Sequence, residues 1–233
     1  MEGITGALFR RTHRRFFPGV DRYFMPFLSP SQHHVFTRRE LRDILPEQDG
    51  DLDAVPQLLT RSGADFLWAA GELARMGYRE VNLNLGCPSG TVTAKGKGAG
   101  FLAKPEELER FFDEVFAAVK LPVSVKTRLG VKEPEEFERL LDIYNRYPIA
   151  CLTIHPRVQK QFYKGTVHRD WFAWAAERSR NPLCYNGDLV TVEDCTVFAV
   201  DFPAIDAVMI GRGAIADPAL LRKLRGGVPA TRQ

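Results

Sequence analysis

Three observations predict an α/β fold, specifically a (β/α)₈ barrel. Short apolar runs alternate with longer amphipathic segments along all 233 residues. No stretch rich in Gly, Pro or Ser divides that alternation. Six of the apolar runs close on a polar or charged residue. Alternation of this kind builds βαβ units and a parallel sheet, and barrel enzymes carry their working groups at the C-terminal ends of the strands. Seven strands can be counted, and the chain opens where an eighth would be ending. A doubly wound sheet uses the same units, but the count and the length favour the barrel. The expected organisation is a barrel over residues 1–227 with its first strand truncated, then a tail over 228–233.

Taken in order, the first predicted strand is Tyr23–Leu28 and the second Ala54–Leu59. Ser62 and Gly63 then lead into a helix over Ala64–Met76. The strand Glu80–Leu85 alternates strictly, which turns Val81, Leu83 and Leu85 toward the helices and Asn82 and Asn84 toward the barrel interior. Lys104-Pro105 opens a helix that runs to Val119. Proline suits a first helical turn because its missing N–H costs little there. In the strand Pro122–Thr127 the same period sets Ser124, Lys126 and Arg128 inside, against Val123, Val125 and Thr127 outside. Glu133-Pro134 opens a further helix to Tyr147. Ala150–His155, Leu183–Asn186 and Ala207–Ile210 complete the strands, with helices at Arg169–Arg178, Val192–Val200 and Pro218–Arg225.

Bulk properties narrow the class. A 45% hydrophobic chain of this length can bury a full core. No apolar run approaches the roughly 18 residues of a membrane span, and the first residues lack the pattern of a signal peptide. The four cysteines show no metal spacing and are too sparse for a disulfide scaffold. A reduced, cytoplasmic protein without a metal centre is expected. The net charge of +3 permits an anionic partner without requiring one.

The strand ends carry the chemistry: Gln57, Asn84 with Cys87, Lys126 with Arg128, His155 with Arg157, Asn186-Gly187-Asp188 and Gly211-Arg212-Gly213. One Asn or Gln at a strand end ordinarily satisfies loop backbone. An inward ammonium such as Lys126 needs an anion or polar ligand to offset its desolvation. Six strands with the same habit point to one shared polar ligand. The glycines of 211–213 let backbone N–H groups approach a phosphate, ahead of a short helix expected near Ala216. That is where barrels commonly hold phosphate, so a phosphorylated cofactor near Lys126 is expected. From His155 to Arg169 the chain has four Lys or Arg, two His and no acid, with Phe162 and Tyr163 interleaved. Such loops contact phosphates and stack on unpaired bases, or else are solvated loops with their aromatics packed beneath. Lys95 and Lys97 add the same sign beside Cys87. That thiol sits in a turn between Gly86 and Pro88, as a gap-filler or as a group presented to substrate. Cys151 and Cys184, inside strands, have the gap-filling position.

Jointly these motifs resemble the tRNA-dihydrouridine synthases. The matching stretches are Met1-Glu-Gly-Ile-Thr5, Val55-Pro-Gln57, Asn82-Leu-Asn-Leu-Gly-Cys-Pro88 with Gly98-Ala-Gly100, Ser124 to Gly130, His155 to Gly165, Asn186-Gly-Asp188 and Met209 to Gly213. The resemblance implies a flavin enzyme built on a TIM barrel and followed by a small helical domain. It assigns FMN contacts to Met1, Gln57, Asn84, Lys126, His155, Asn186, Gly187, Asp188, Gly211 and Arg212, with Asn84 also beside the target base. Cys87 would be the catalytic acid, and Lys95, Arg157, Lys160 and Tyr163 would meet the RNA. NADPH would be the electron donor, tRNA the substrate and the monomer the working form.

Reducing the uracil C5=C6 bond needs hydride at C6, which a reduced flavin supplies, and a proton at C5 from a general acid. Cysteine thiols ordinarily titrate near 8.5, so at neutral pH they can donate. No GxGxxG follows a strand, as expected if nicotinamide visits the flavin without a Rossmann domain. The chain departs from the family pattern at both ends, where most of the first strand and the helical domain are expected to be absent. Two rival readings are a flavin barrel acting on a small molecule such as a free pyrimidine, and an RNA-binding form without catalysis.

Overall fold

Seven short strands hydrogen-bond in parallel, in the order in which they occur in the chain. They are β1 (Tyr23–Leu28), β2 (Ala54–Leu58), β3 (Val81–Leu85), β4 (Val123–Arg128), β5 (Leu152–His155), β6 (Leu183–Tyr185) and β7 (Ala207–Val208). The computed structural model describes residues 1–230; the last three residues of the expected 228–233 tail lie outside the described residues. Sequential order argues against the doubly wound sheet, which reverses its strand order part-way. Laid flat, seven strands about 4.8 Å apart would span roughly 29 Å. Instead Phe27 of β1 and Met209, just past β7, line the same cavity, so the sheet curls strongly on itself.

Alternation assigns the two faces as expected. Val81, Leu83 and Leu85 are fully buried toward the helices. Asn82 faces inward, where its amide meets Gln57 of β2 and Ser124 of β4. Outside the sheet, Phe66 of α4 (Gly63–Arg75), Phe111 and Phe112 of α6 (Pro105–Ala118) and Tyr144 of α7 (Glu136–Tyr144) form one aromatic layer. The Tyr144 hydroxyl lies 2.9 Å from Thr127 Oγ1, which pins that layer to β4. The helices start where local chemistry satisfies their first N–H groups. Ser62 accepts from Asp65 N at the start of α4, and Thr191 caps α9 (Val192–Asp201) with Asp194 as its reciprocal partner.

Four helices fall where the sequence reading placed none: α1 (Ala7–Phe16), α2 (Arg38–Ile44), α3 (Pro46–Asp49) and α5 (Gly90–Thr93). In α1 the reason is physical. Its buried positions are Ala7, Arg10 and His13, so apolar periodicity has nothing to report. Arg10 is fully buried and donates to both Asp49 carboxylate oxygens, at 2.7 and 2.8 Å. It also donates to the carbonyls of Thr5 and Asp43. One guanidinium thereby ties α1 to α2 and α3. Arg10→Ala strands the Asp49 carboxylate without its partner, so a loss of about 3–5 kcal/mol is expected in denaturant unfolding. A loss below about 1 kcal/mol would place the pair at a solvated surface instead. The remaining helices are α8 (Arg169–Arg178), α10 (Arg212–Ala216) and α11 (Leu220–Leu224). No described helix is long and apolar enough to cross a membrane.

Candidate active site

The C-terminal strand ends open into one cavity of about 550 Å³, within the range of small-molecule sites. Met1, Gln57, Asn84, Cys87, Lys126, His155, Tyr163, Asn186, Gly187, Asp188, Gly211 and Arg212 all line it. The strands β6 and β7 stop earlier than expected, and a side chain carries the pairing onward. Asn186 Nδ2 donates to the Met209 carbonyl at 2.7 Å, just after the Met209 N–H has bonded Tyr185 O.

The Cys87 turn is locked through Asn84. Its Oδ1 accepts from the N–H groups of Gly86 at 3.0 Å and Cys87 at 2.9 Å. Its Nδ2 donates to Gln57 Oε1 at 2.7 Å. Gln57 Nε2 donates in turn to Asn82 Oδ1, and Asn82 Nδ2 to Ser124 Oγ, both at 2.8 Å. This buried row of amides runs in one direction and fixes the orientation of every member. On the far side of the turn, Gly98 has φ +57°, and a Cβ there would lie 2.8 Å from the Cys87 carbonyl. Only glycine allows the loop to close that tightly, with Ala99 N–H donating to Cys87 O at 3.0 Å. Backbone bonds hold the turn on both sides, and the thiol is half-buried beside the cavity.

The floor of the cavity is cationic. Lys126 makes no hydrogen bond or ion pair among the described residues, and burial followed by the nearby Arg128 lowers its ammonium to about 8. The buried Arg128 donates to the carbonyls of Gly86 and Val158. Burial, and then the charges of Lys126, Arg128, Arg157 and Arg212, hold His155 far below the usual imidazole range, so it is neutral. The centroid of the Tyr163 ring lies 5.3 Å from the Arg128 guanidinium and 4.8 Å from that of Arg212. Asp188, at φ +45°, accepts from Arg212 at 2.7 Å and from Arg157. Hydrogen bonds from Arg157 hold its carboxyl below the usual range. The surplus of positive charge over this carboxylate suits an anion.

Three residues expected to meet RNA lie outside the cavity lining. Arg157 is 1% exposed, and all its donors are turned inward, which corrects its expected surface role. Lys160 pairs with Glu133 at 2.6 Å on the outer surface. Lys95 is exposed in the loop after Cys87 and does not line the cavity. The short helix expected near Ala216 starts earlier, at Arg212, and ends at Ala216. Arg128 faces inward as its strand period requires, and it braces the Cys87 turn from beneath. Phe9 and His13 of α1, which no strand-end pattern reveals, also line the cavity. His13 Nδ1 lies 2.9 Å from the Tyr23 hydroxyl, and its buried Nε2 has no partner among the described residues. The spacing of Ala7, Arg10 and His13 inside a run of exposed arginines was the available signal.

A parallel α/β sheet in chain order that curls on itself, with a cationic cavity and a half-buried thiol at its strand ends, defines a barrel-like α/β protein with a candidate binding site. The chain belongs to the dihydrouridine synthase family, whose model matches residues 1–230. It is 31% identical over 230 residues to a probable tRNA-dihydrouridine synthase 1 of Synechocystis sp., covering 96% of this chain and 62% of that protein. It is 35% identical over 179 residues to a tRNA-dihydrouridine(16) synthase of Ralstonia nicotianae, covering 73% of this chain and 54% of that one. A probable tRNA-dihydrouridine synthase of Staphylococcus aureus is 36% identical over 233 residues, with 96% and 69% covered. The chain thus spans between 54% and 69% of the length of these relatives.

Proposed function

We propose that residues 1–227 form the FMN-binding catalytic barrel of a tRNA-dihydrouridine synthase, a cytoplasmic monomer that uses NADPH to reduce a uridine in tRNA. In this reading the seven-stranded sheet is the larger part of a (β/α)₈ barrel. The observation that carries it is a single juxtaposition: a thiol on an Asn84-locked turn beside a cavity with surplus positive charge.

The residues fit a flavin mononucleotide. Lys126 supplies an ammonium with no counter-ion among the described residues, matched to a polar or electron-rich ring. Arg212, with Gly211 in the turn after β7, supplies a cation beside backbone that a phosphate can approach closely. Gln57, His155 and Asn186 offer polar contacts around the same cavity. When bound, the reduced flavin supplies hydride for C6 of the base. Cys87 then gives its proton to C5, and Asn84 holds the turn so that the thiol reaches that face. Tyr163, exposed at the cavity mouth and held beside Arg128 and Arg212, offers aromatic surface to a base drawn out of its helix. The exposed Lys95 offers a cation to the sugar–phosphate chain, and Lys160 joins it by exchanging Glu133 for a phosphate.

The test uses the whole chain, purified and supplied with FMN and NADPH. The protein is expected to be yellow and to form dihydrouridine in unmodified tRNA, with no turnover of free uracil or uridine. Turnover of the free pyrimidine alone would make it a small-molecule reductase. A colourless protein that takes up no added FMN would sink the enzymatic reading.

A further inference from the structure

We propose that Arg157 is the positioning residue of the cavity: one buried guanidinium sets the tautomer of His155, holds the loop that carries Tyr163, and through Asp188 aims Arg212. This role rests on the functional reading above only for its link to cofactor binding; the geometry stands by itself. Arg157 is 1% exposed, which is unusual for a residue in a basic, aromatic-bearing loop. Its donors reach three separate segments. Nη1 donates to His155 Nε2 at 3.2 Å and to Asp188 Oδ1 at 2.9 Å. Nη2 donates to Asp188 Oδ2 and to the Gly165 carbonyl, both at 2.5 Å. Nε donates to the Lys164 carbonyl at 3.2 Å.

Each contact has a consequence at the cavity. Arginine has no acceptor, so the His155 nitrogen facing it must accept. The ring is therefore neutral and carries its proton on Nδ1. Lys164 and Gly165 follow Tyr163 directly, and with Phe162 at φ +51° and Gly165 at φ +67° the loop bends sharply on both sides of that ring. Fixing the two carbonyls holds Tyr163 beside Arg128 and Arg212. Asp188 takes the fork of Arg157 with both oxygens and still accepts from Arg212 at 2.7 Å. A lysine cannot reproduce this, because a point ammonium lacks the planar fork that reaches all three segments together.

The experiment compares Arg157→Lys with Asp188→Asn in the full chain. Histidine-selective ¹⁵N NMR of the wild-type protein at neutral pH is expected to show His155 neutral and protonated on Nδ1. Arg157→Lys should move that signal toward the Nε2-protonated form and weaken FMN binding at least about tenfold, the scale of one charged hydrogen bond. Asp188→Asn should weaken FMN binding while leaving the His155 tautomer as in the wild type. Melting curves confirm that each variant is folded; an unfolded Arg157→Lys leaves the wild-type tautomer as the deciding measurement. A charged or Nε2-protonated His155 in the wild type overturns the proposal. So does a folded Arg157→Lys with both the tautomer and the FMN affinity intact. Failure of the wild type to take up FMN counts against the cofactor reading alone, since the tautomer is read without it.

Discussion

Lys126→Met is expected to stabilise the ligand-free protein and to weaken its grip on FMN, two effects of opposite sign from one ammonium. Burial has lowered that group from its ordinary 10.5 to about 8. At 1.36 kcal/mol per pH unit, the charged form costs the fold on the order of 3 kcal/mol at neutral pH. The sign follows from proton counts. Between pH 8 and 10.5 the unfolded chain holds the proton and the folded chain has released it, so stability rises with pH across that window. Below pH 8 both states are protonated and the cost is constant. Urea unfolding at pH 7 should therefore find the methionine variant more stable, with the difference shrinking toward pH 10. An anionic or electron-rich ligand favours the charged ammonium, so FMN affinity should be flat below pH 8 and fall as pH rises through it. In Lys126→Met that fall should vanish and the affinity be lower throughout. A variant less stable than the wild type at pH 7 would mean that Lys126 has a partner the geometry does not reveal. The trade of stability against binding is what a site built for a charged ligand must make.

The strands were legible because burial on both faces of a parallel sheet writes a simple pattern. Val81 to Leu85 shows apolar residues outward and amides inward, and both halves held. The polar strand ends were legible because Gln57, Asn84, Lys126, His155 and Asn186 recur at the same end of successive strands, where they line one cavity. Helix α1 was not legible, since its inner face is held by Arg10 and His13 rather than by apolar packing. Arg157 was misread because composition cannot tell a guanidinium offered to solvent from one enclosed by backbone carbonyls and a carboxylate. Sequence reports the sign of that charge; only the fold reports where its donors point. The direction of the amide row from Asn84 to Ser124 was likewise hidden, because it depends on cross-strand register.

Cys87→Ala tests whether the turn exists to present a proton. Asn84 and Ala99 hold the backbone of this turn, and the thiol takes no part in either bond. Removing the sulfur should therefore leave the turn in place, with stability and FMN affinity close to wild type. The NADPH-dependent bleaching of the flavin's visible absorbance requires no proton at C5 of a uracil, so the variant should retain it. Dihydrouridine formation does require that proton and should fall by about 10²–10⁴, the contribution of a positioned general acid. Cys87→Ser is the sharper control, because a hydroxyl is nearly isosteric but a much weaker acid, and it should stay far below the wild-type rate. A nucleophilic cysteine predicts a covalent adduct with the base and reactivity that depends on a thiolate. A proton donor predicts neither, only a slow step that follows base binding. Single-turnover measurements on unmodified tRNA separate the two outcomes, and near-normal turnover by the alanine variant would remove Cys87 from the chemistry altogether.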